Sequence, residues 1–162
     1  MDKNKNEEDE QKQSSVFKAI IDDLDVSEIR QLVSDKYCHF KYELDDFQVR
    51  SMYRIEQNES VFVSAPTSAG KTAIAEYALW YCKARGKLAI YTSPLKALSN
   101  QKFRNFSQKF GEVGILTGDI TINREAPILI MTTEILRSML YKNDEILSKI
   151  GYVIFDEFPG NF

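Results

Sequence analysis

The 162-residue chain is poor in the residues that build metal centres, with one histidine and two cysteines. With His39 the only histidine, a multi-histidine metal cluster is excluded. Cys38 and Cys82 lie far apart and form no Cys-x-x-Cys, so they read as buried free thiols rather than a disulfide or a zinc site. No apolar run approaches the ~18–20 residues that cross a bilayer. The N-terminus lacks the apolar stretch of a signal peptide. An intracellular protein with no membrane partner is expected, and the Asn-x-Ser sequons at Asn58 and Asn105 then have no role. Basic charge is also short: the net charge of −3 argues against a large basic nucleic-acid surface, though not against a positive groove.

Apolar residues are plentiful at 43%, enough for a core in one domain or part of one. Residues 1–15 are almost wholly polar and are expected to be a disordered tail. Residues 16–39 form a short extension in which Phe17, Ile20, Ile21, Leu24, Ile29 and Leu32 suggest one or two amphipathic helices. Residues 40–162 alternate helical and strand patterns. Helices are expected at Asp46–Gln57, Lys71–Ala84, Ala97–Phe110, Thr133–Tyr141 and Asn143–Ile150. Strands are expected at Ser60–Ser64, Leu88–Thr92, Val113–Leu116, Ile128–Met131 and Tyr152–Phe155. Short apolar strands separated by helices predict an α/β fold, a parallel sheet covered on both faces. Ligands of such sheets sit beyond the carboxyl ends of the strands.

The stretch Ala65-Pro66-Thr67-Ser68-Ala69-Gly70-Lys71-Thr72 follows the first strand and opens a helix. That setting makes a phosphate-binding loop, whose backbone N–H groups and helix N-terminus face the phosphates of a nucleotide. Lys71 would reach the β- and γ-phosphates, and the Thr72 hydroxyl would ligate Mg²⁺. The usual first glycine is Ala65, which tests whether this position needs a positive φ. Far downstream, Gly151-Tyr152-Val153-Ile154-Phe155 is an apolar strand ending in Asp156-Glu157. Asp156 would hold Mg²⁺ through water and Glu157 would orient and deprotonate the attacking water, with Lys71 as its catalytic counterpart. Upstream, the Gln48 amide could pair with an adenine edge, and Tyr42 could stack on the base. Taken alone, Gln48 could equally be a surface helix residue.

These motifs occur in order with Thr92-Ser93-Pro94-Leu95-Lys96-Ala97-Leu98-Ser99-Asn100-Gln101-Lys102, Thr117-Gly118-Asp119 and Met131-Thr132-Thr133-Glu134-Ile135-Leu136-Arg137-Ser138-Met139-Leu140-Tyr141. From about Tyr42 to Glu157 the chain resembles the first RecA-like domain of the DExH-box superfamily 2 helicases, in the Ski-like branch. The resemblance implies a RecA-like P-loop NTPase fold, ATP and Mg²⁺ as cofactors, and 3′-to-5′ movement along single-stranded RNA in exosome-linked decay. It implies RNA-backbone contacts for Ser93, Pro94, Lys96, Gly118, Asp119, Thr133, Glu134 and Arg137. Hydroxyls, loop amides and helix N-termini grip a sugar-phosphate backbone without reading sequence. Taken singly, Lys96 or Arg137 is an ordinary solvated charge, and Thr133 an ordinary helix N-cap. The branch implies exosome partners with Ski-complex or TRAMP-type subunits. Glu59–Val63 and Gln101–Phe106 lean towards the cytoplasmic Ski-complex type, while Pro66 departs from it.

The acid pair departs from the family by continuing Phe158-Pro159-Gly160-Asn161-Phe162, with Pro159 where the family has histidine. The next family motif, Ser-Ala-Thr, is absent, and so is the second RecA-like domain with its arginine fingers. In the family sheet that strand lies between the strand ending at Ser64 and the one ending at Phe155. The expectation is therefore a sheet incomplete at its C-terminal end, with unpaired backbone or a repaired sheet. Two readings stay open: the ATP-binding piece of an RNA helicase, inactive by itself, or a non-catalytic remnant that binds nucleotide or RNA weakly. A Ski-like DNA helicase fragment is a lesser third.

Overall fold

The computed structural model describes residues 23–33, 37, 39–66 and 69–156. The polar tail, the first part of the extension, Cys38, Thr67, Ser68, Glu157 and Pro159 lie outside the described residues.

The apolar runs Leu88–Ser93 (β1) and Ile128–Thr132 (β4) are buried along their whole length. Such runs suit strands covered on both faces. Alternation sorts their side chains. Ala89, Tyr91, Ile128 and Ile130 join one core, while Leu88, Ile90, Leu129 and Met131 join the other. The register agrees, since Ala89 pairs with Ile128 and Ile90 with Leu129. With Val113–Leu116 (β2), Thr121–Ile122 (β3) and Ile150–Phe155 (β5), the sheet runs in the order β3-β2-β4-β1-β5. β2, β4, β1 and β5 are parallel, and β3 pairs antiparallel with β2.

Among the described residues, five α-helices and one 3₁₀ helix cover this sheet. Val26–Val33 (α1), Asp46–Glu56 (α2), Lys71–Ala84 (α3) and Lys96–Phe110 (α4) supply the core on one face. Thr133–Lys142 (α5) and a 3₁₀ helix at Glu145–Lys149 supply the other. The expected α/β architecture with a mostly parallel sheet is present, its strands β2, β4 and β1 buried along their length while β5 is only half-buried and β3 exposed. No helix among the described residues is long and apolar enough to cross a membrane.

The structure corrects several expectations. Ser60–Ser64 is not a strand. Among the described residues β5 pairs only with β1, so the segment has no ladder to join. Val61 and Phe62 are exposed, Phe62 at 84%. Most of the segment is thus exposed, where water can serve unpaired amides that would be costly if buried, while Val63 still packs on the core. The sheet is not repaired by pairing this segment with β5. The expected helix at Asn143–Ile150 is instead a short 3₁₀ turn. Asn143 adopts φ 49° and closes α5, and Asp144 then caps a separate turn by accepting from the Ile146 N–H at 3.2 Å. The two-residue β3 carries too little pattern to be read from sequence. In α1, Ile29 and Val33 are buried, whereas Leu32 is 59% exposed and leaves the expected apolar face. Cys82 is a buried free thiol, as read from the sequence.

Candidate nucleotide and nucleic-acid site

Ser93 closes β1 and pairs with Thr132, which closes β4. The Asp156 N–H, just past β5, donates to the Thr92 carbonyl at 3.0 Å. Three motifs distant in sequence thus meet at the carboxyl ends of adjacent parallel strands, where open α/β sheets bind ligands.

The loop before α3 reaches the helix through Gly70, whose φ is +77°. A Cβ there would sit 2.6 Å from Gln48 Nε2, so both conformation and space demand glycine. Ala65 is not among the non-glycine residues with positive φ, which explains why alanine is tolerated at that position. The Lys71 ammonium donates to the carbonyls of Ala65 at 2.5 Å and Pro66 at 2.9 Å. The lysine is folded back onto its own loop, on acceptors that an incoming phosphate would replace. Ala69 N–H donates to the Pro66 carbonyl at 3.0 Å. Thr72 is exposed in the first turn of α3.

Gln48 is not a surface residue; it is 2% exposed. Its Oε1 accepts from the Asp45 N–H at 2.8 Å, and its Nε2 donates to the Gly70 carbonyl at 3.0 Å. The first contact is half of a capping box that starts α2. The second ties α2 to the phosphate loop. Each end of the amide thus has one protein partner and keeps a second N–H and a second lone pair, but at 2% exposure a base edge could reach them only if this packing opened. Tyr42 is 56% exposed, its ring centroid 5.7 Å from that of Phe40. Arg30 of α1 braces the segment between them. It donates to the Leu44 carbonyl at 2.6 Å and to Asp46 Oδ1 at 2.8 Å.

Asp156 is held from three sides. Beyond its backbone bond to Thr92, its Oδ2 accepts from the Tyr91 hydroxyl and lies 3.5 Å from Lys102 Nζ. Lys102 and Tyr91 were not singled out as site residues from sequence. The signal for Tyr91 was available. Tyr91 pairs with Ile154, and Asp156 lies two residues further along, on the same face. No sequence signal marks Lys102, which comes from the next helix. Thr72, exposed at the start of α3, and Asp156 at the end of β5 are oxygen donors of the kind Mg²⁺ takes beside nucleotide phosphates, where it keeps several waters. Among the described residues no group of three or more His, Cys, Asp or Glu could form an all-protein metal cage.

Of the residues expected to meet nucleic acid, Ser93 is buried at 2%. Pro94, Gly118, Asp119, Thr133, Glu134, Arg137 and Lys96 are exposed. Lys96 opens α4, with its Nζ 2.9 Å from Asp119 Oδ1. The Thr117 hydroxyl donates to the same carboxylate at 3.1 Å. The Lys96 ammonium, followed by the Thr117 hydroxyl, holds the Asp119 carboxyl below the usual aspartate range. The N-cap of α5 is the buried Thr132, not Thr133, which stands exposed at the first helical position. Arg137 lies over the Tyr141 ring, 5.8 Å from its centroid.

Known proteins match this chain. The DEAD/DEAH box helicase family matches residues 45–159. The "mRNA transport homolog 4" of Caenorhabditis elegans is 51% identical over 119 residues, covering 74% of this chain and 12% of that protein. The "Superkiller complex protein 2" of Mus musculus is 50% identical over 132 residues, covering 82% of this chain and 11% of that protein. The "ATP-dependent RNA helicase mtr4" of Schizosaccharomyces pombe is 55% identical over 118 residues, covering 73% and 11% respectively. The chain thus spans about a tenth of the length of these relatives.

Proposed function

Because the chain belongs to the DEAD/DEAH box helicase family, among the Ski-like DExH helicases, we propose that it is the ATP-binding part of an ATP-dependent RNA helicase. The observation that supports this most directly is the meeting of Ser93, Thr132 and Asp156 at one strand edge, with α3 opening on Lys71 immediately after Gly70. Hydrolysis of a phosphoanhydride needs mainly positioning and charge neutralisation.

In this reading the loop 65–72 cradles the phosphates with its backbone amides. Lys71 leaves the Ala65 and Pro66 carbonyls to meet the terminal phosphate. Thr72 and Asp156 would hold Mg²⁺, which would neutralise phosphate charge when bound. Glu157 orients and deprotonates the attacking water. Tyr42 stacks on the base, and Gln48 links the base side to the loop. Ser93, Pro94, Lys96, Gly118, Asp119, Thr133, Glu134 and Arg137 form the RNA track along the same edge. Buried Ser93 serves it through its backbone, and exposed Lys96 and Arg137 through charge. Single-stranded RNA is the proposed substrate, with the exosome and Ski-complex or TRAMP-type subunits as partners. The proposed compartment is the cytoplasm, on the resemblance of Glu59–Val63 and Gln101–Phe106 alone.

Binding without turnover by the isolated chain is the second reading. The solvated, unladdered Ser60–Ser64 segment favours it, because that segment leads directly into the phosphate loop. The test is ATP hydrolysis with Mg²⁺ and single-stranded RNA, in a full-length helicase carrying this chain and in its Lys71→Ala variant. Hydrolysis is expected to be abolished by the substitution. Retained turnover would remove the phosphate-loop assignment.

A further inference from the structure

Two donors from different elements converge on a single oxygen of Asp156. The Tyr91 hydroxyl donates to Oδ2, and Lys102 Nζ lies 3.5 Å from the same atom. Oδ1 has no hydrogen-bond partner among the described residues. Tyr91 is 1% exposed, and its ring meets Phe106 edge-on at a centroid distance of 5.1 Å. Lys102 sits over both rings, 5.3 Å from the Tyr91 centroid and 5.8 Å from that of Phe106. Its ammonium therefore faces both rings and the carboxylate, rather than standing free in solvent. Phe106 lies one turn after Lys102 on α4, so this helix carries both the lysine and the ring beneath it. The Asp156 backbone is fixed separately by its bond to Thr92.

We propose that Tyr91 and Lys102 are positioning residues for Asp156, binding its Oδ2 so that Oδ1 is presented to the nucleotide-bound Mg²⁺. This rests on the nucleotide reading above. Carboxylates at metal sites commonly need such outer partners, and losing one typically weakens metal affinity about 10–100-fold. A mere neighbouring charge predicts the opposite for Lys102. Removing a cation beside a metal site strengthens metal binding.

The experiment titrates Mg²⁺ into the 162-residue chain with a fluorescent ADP analogue, and measures analogue affinity separately in EDTA. Tyr91→Phe keeps the buried ring and deletes only the donor. Lys102→Met keeps most of the stem and deletes the charge. Each is expected to raise the half-saturating Mg²⁺ concentration about 10-fold, leaving affinity in EDTA unchanged. Lys102→Arg is expected to restore most of the Mg²⁺ response. RNA affinity in EDTA should stay unchanged in Lys102→Met. An unchanged Mg²⁺ midpoint in both Tyr91→Phe and Lys102→Met would overturn the proposal. So would a lowered midpoint in Lys102→Met, or an equal loss with and without Mg²⁺. Analogue binding by the wild-type chain that ignores Mg²⁺ would overturn this inference alone. No analogue binding in either condition would overturn the nucleotide reading with it.

Discussion

Gln48 donates from Nε2 to the Gly70 carbonyl at 3.0 Å, joining the start of α2 to the last residue before α3. The segment proposed to meet the base and the loop proposed to meet the phosphates are therefore tied by a direct hydrogen bond. Gln48→Ala would leave the Gly70 carbonyl and the Asp45 N–H without these partners, at about 1–3 kcal/mol for each group that stays buried. The expected outcome is weaker ATP binding together with a narrowed preference for ATP over GTP. Competition titrations with the two nucleotides measure both. An unchanged preference would confine Gln48 to a structural role.

Gly70→Ala tests the same contact from the other side. The left-handed backbone at φ +77° and the 2.6 Å approach of Gln48 Nε2 oppose any Cβ. Backbone strain of this kind costs about 1–3 kcal/mol. Nucleotide affinity should fall about 10-fold or more, since 1.4 kcal/mol corresponds to tenfold. Urea melts and ADP titration of the same variant separate stability from binding. Normal values for both would mean the loop adopts another conformation at no cost.

If Lys96 meets RNA as proposed, its pairing with Asp119 competes for the lysine. Asp119→Asn should tighten binding of single-stranded RNA at low salt and steepen its salt dependence. Lys96→Ala should flatten the slope of log affinity against log salt by about one phosphate contact's worth, near 0.7 for a single strand. Because Lys96 and Thr117 depress the Asp119 pKa, its carboxylate stays charged throughout the neutral range. The competition is therefore constant from about pH 8 to pH 6, and is lost only as pH falls through the depressed value. Filter-binding at several salt concentrations and pH values is the measurement. A slope unaffected by Lys96→Ala would make this lysine an ordinary solvated charge.

Arg30 is the brace from outside the strand-bearing region. Arg30→Ala removes donors from the half-buried Leu44 carbonyl and from Asp46. A loss of about 1 kcal/mol in folding stability is expected, accompanied by weaker ADP binding. Loss of stability with ADP affinity intact would show that α1 supports the fold without tuning the site.

Burial pushes the Cys82 thiol up to about 11. At pH 8 it is protonated, so it should resist a thiol-specific disulfide reagent until the protein is unfolded. Cys38→Ser leaves Cys82 as the sole thiol for this assay. Rapid reaction in the native state would show that the α3–β5 packing opens readily.

Much of the fold could be read locally. Leu88–Ser93, Val113–Leu116 and Ile128–Thr132 are short apolar runs, and burial on both faces is what such runs require, whereas the equally apolar Ile150–Phe155 stays half-buried beside β1. Gly70-Lys71-Thr72 after a small-residue loop announced the start of α3, because only glycine enters the helix at that φ. Ser60–Ser64 has an equally good local strand pattern and is not a strand. A strand is a pairwise object, and this segment finds no neighbour among the described residues to satisfy its N–H and C=O groups. The same limit applies to the candidate site. Residue type and order pointed to Lys71, Thr72 and Asp156. That Gln48 is buried against Gly70, that Lys96 is paired with Asp119, and that Tyr91 and Lys102 meet on Asp156 Oδ2 depended on strand register and helix placement. Those contacts join residues far apart in the chain, and only tertiary packing decides which distant side chains come within a few ångströms.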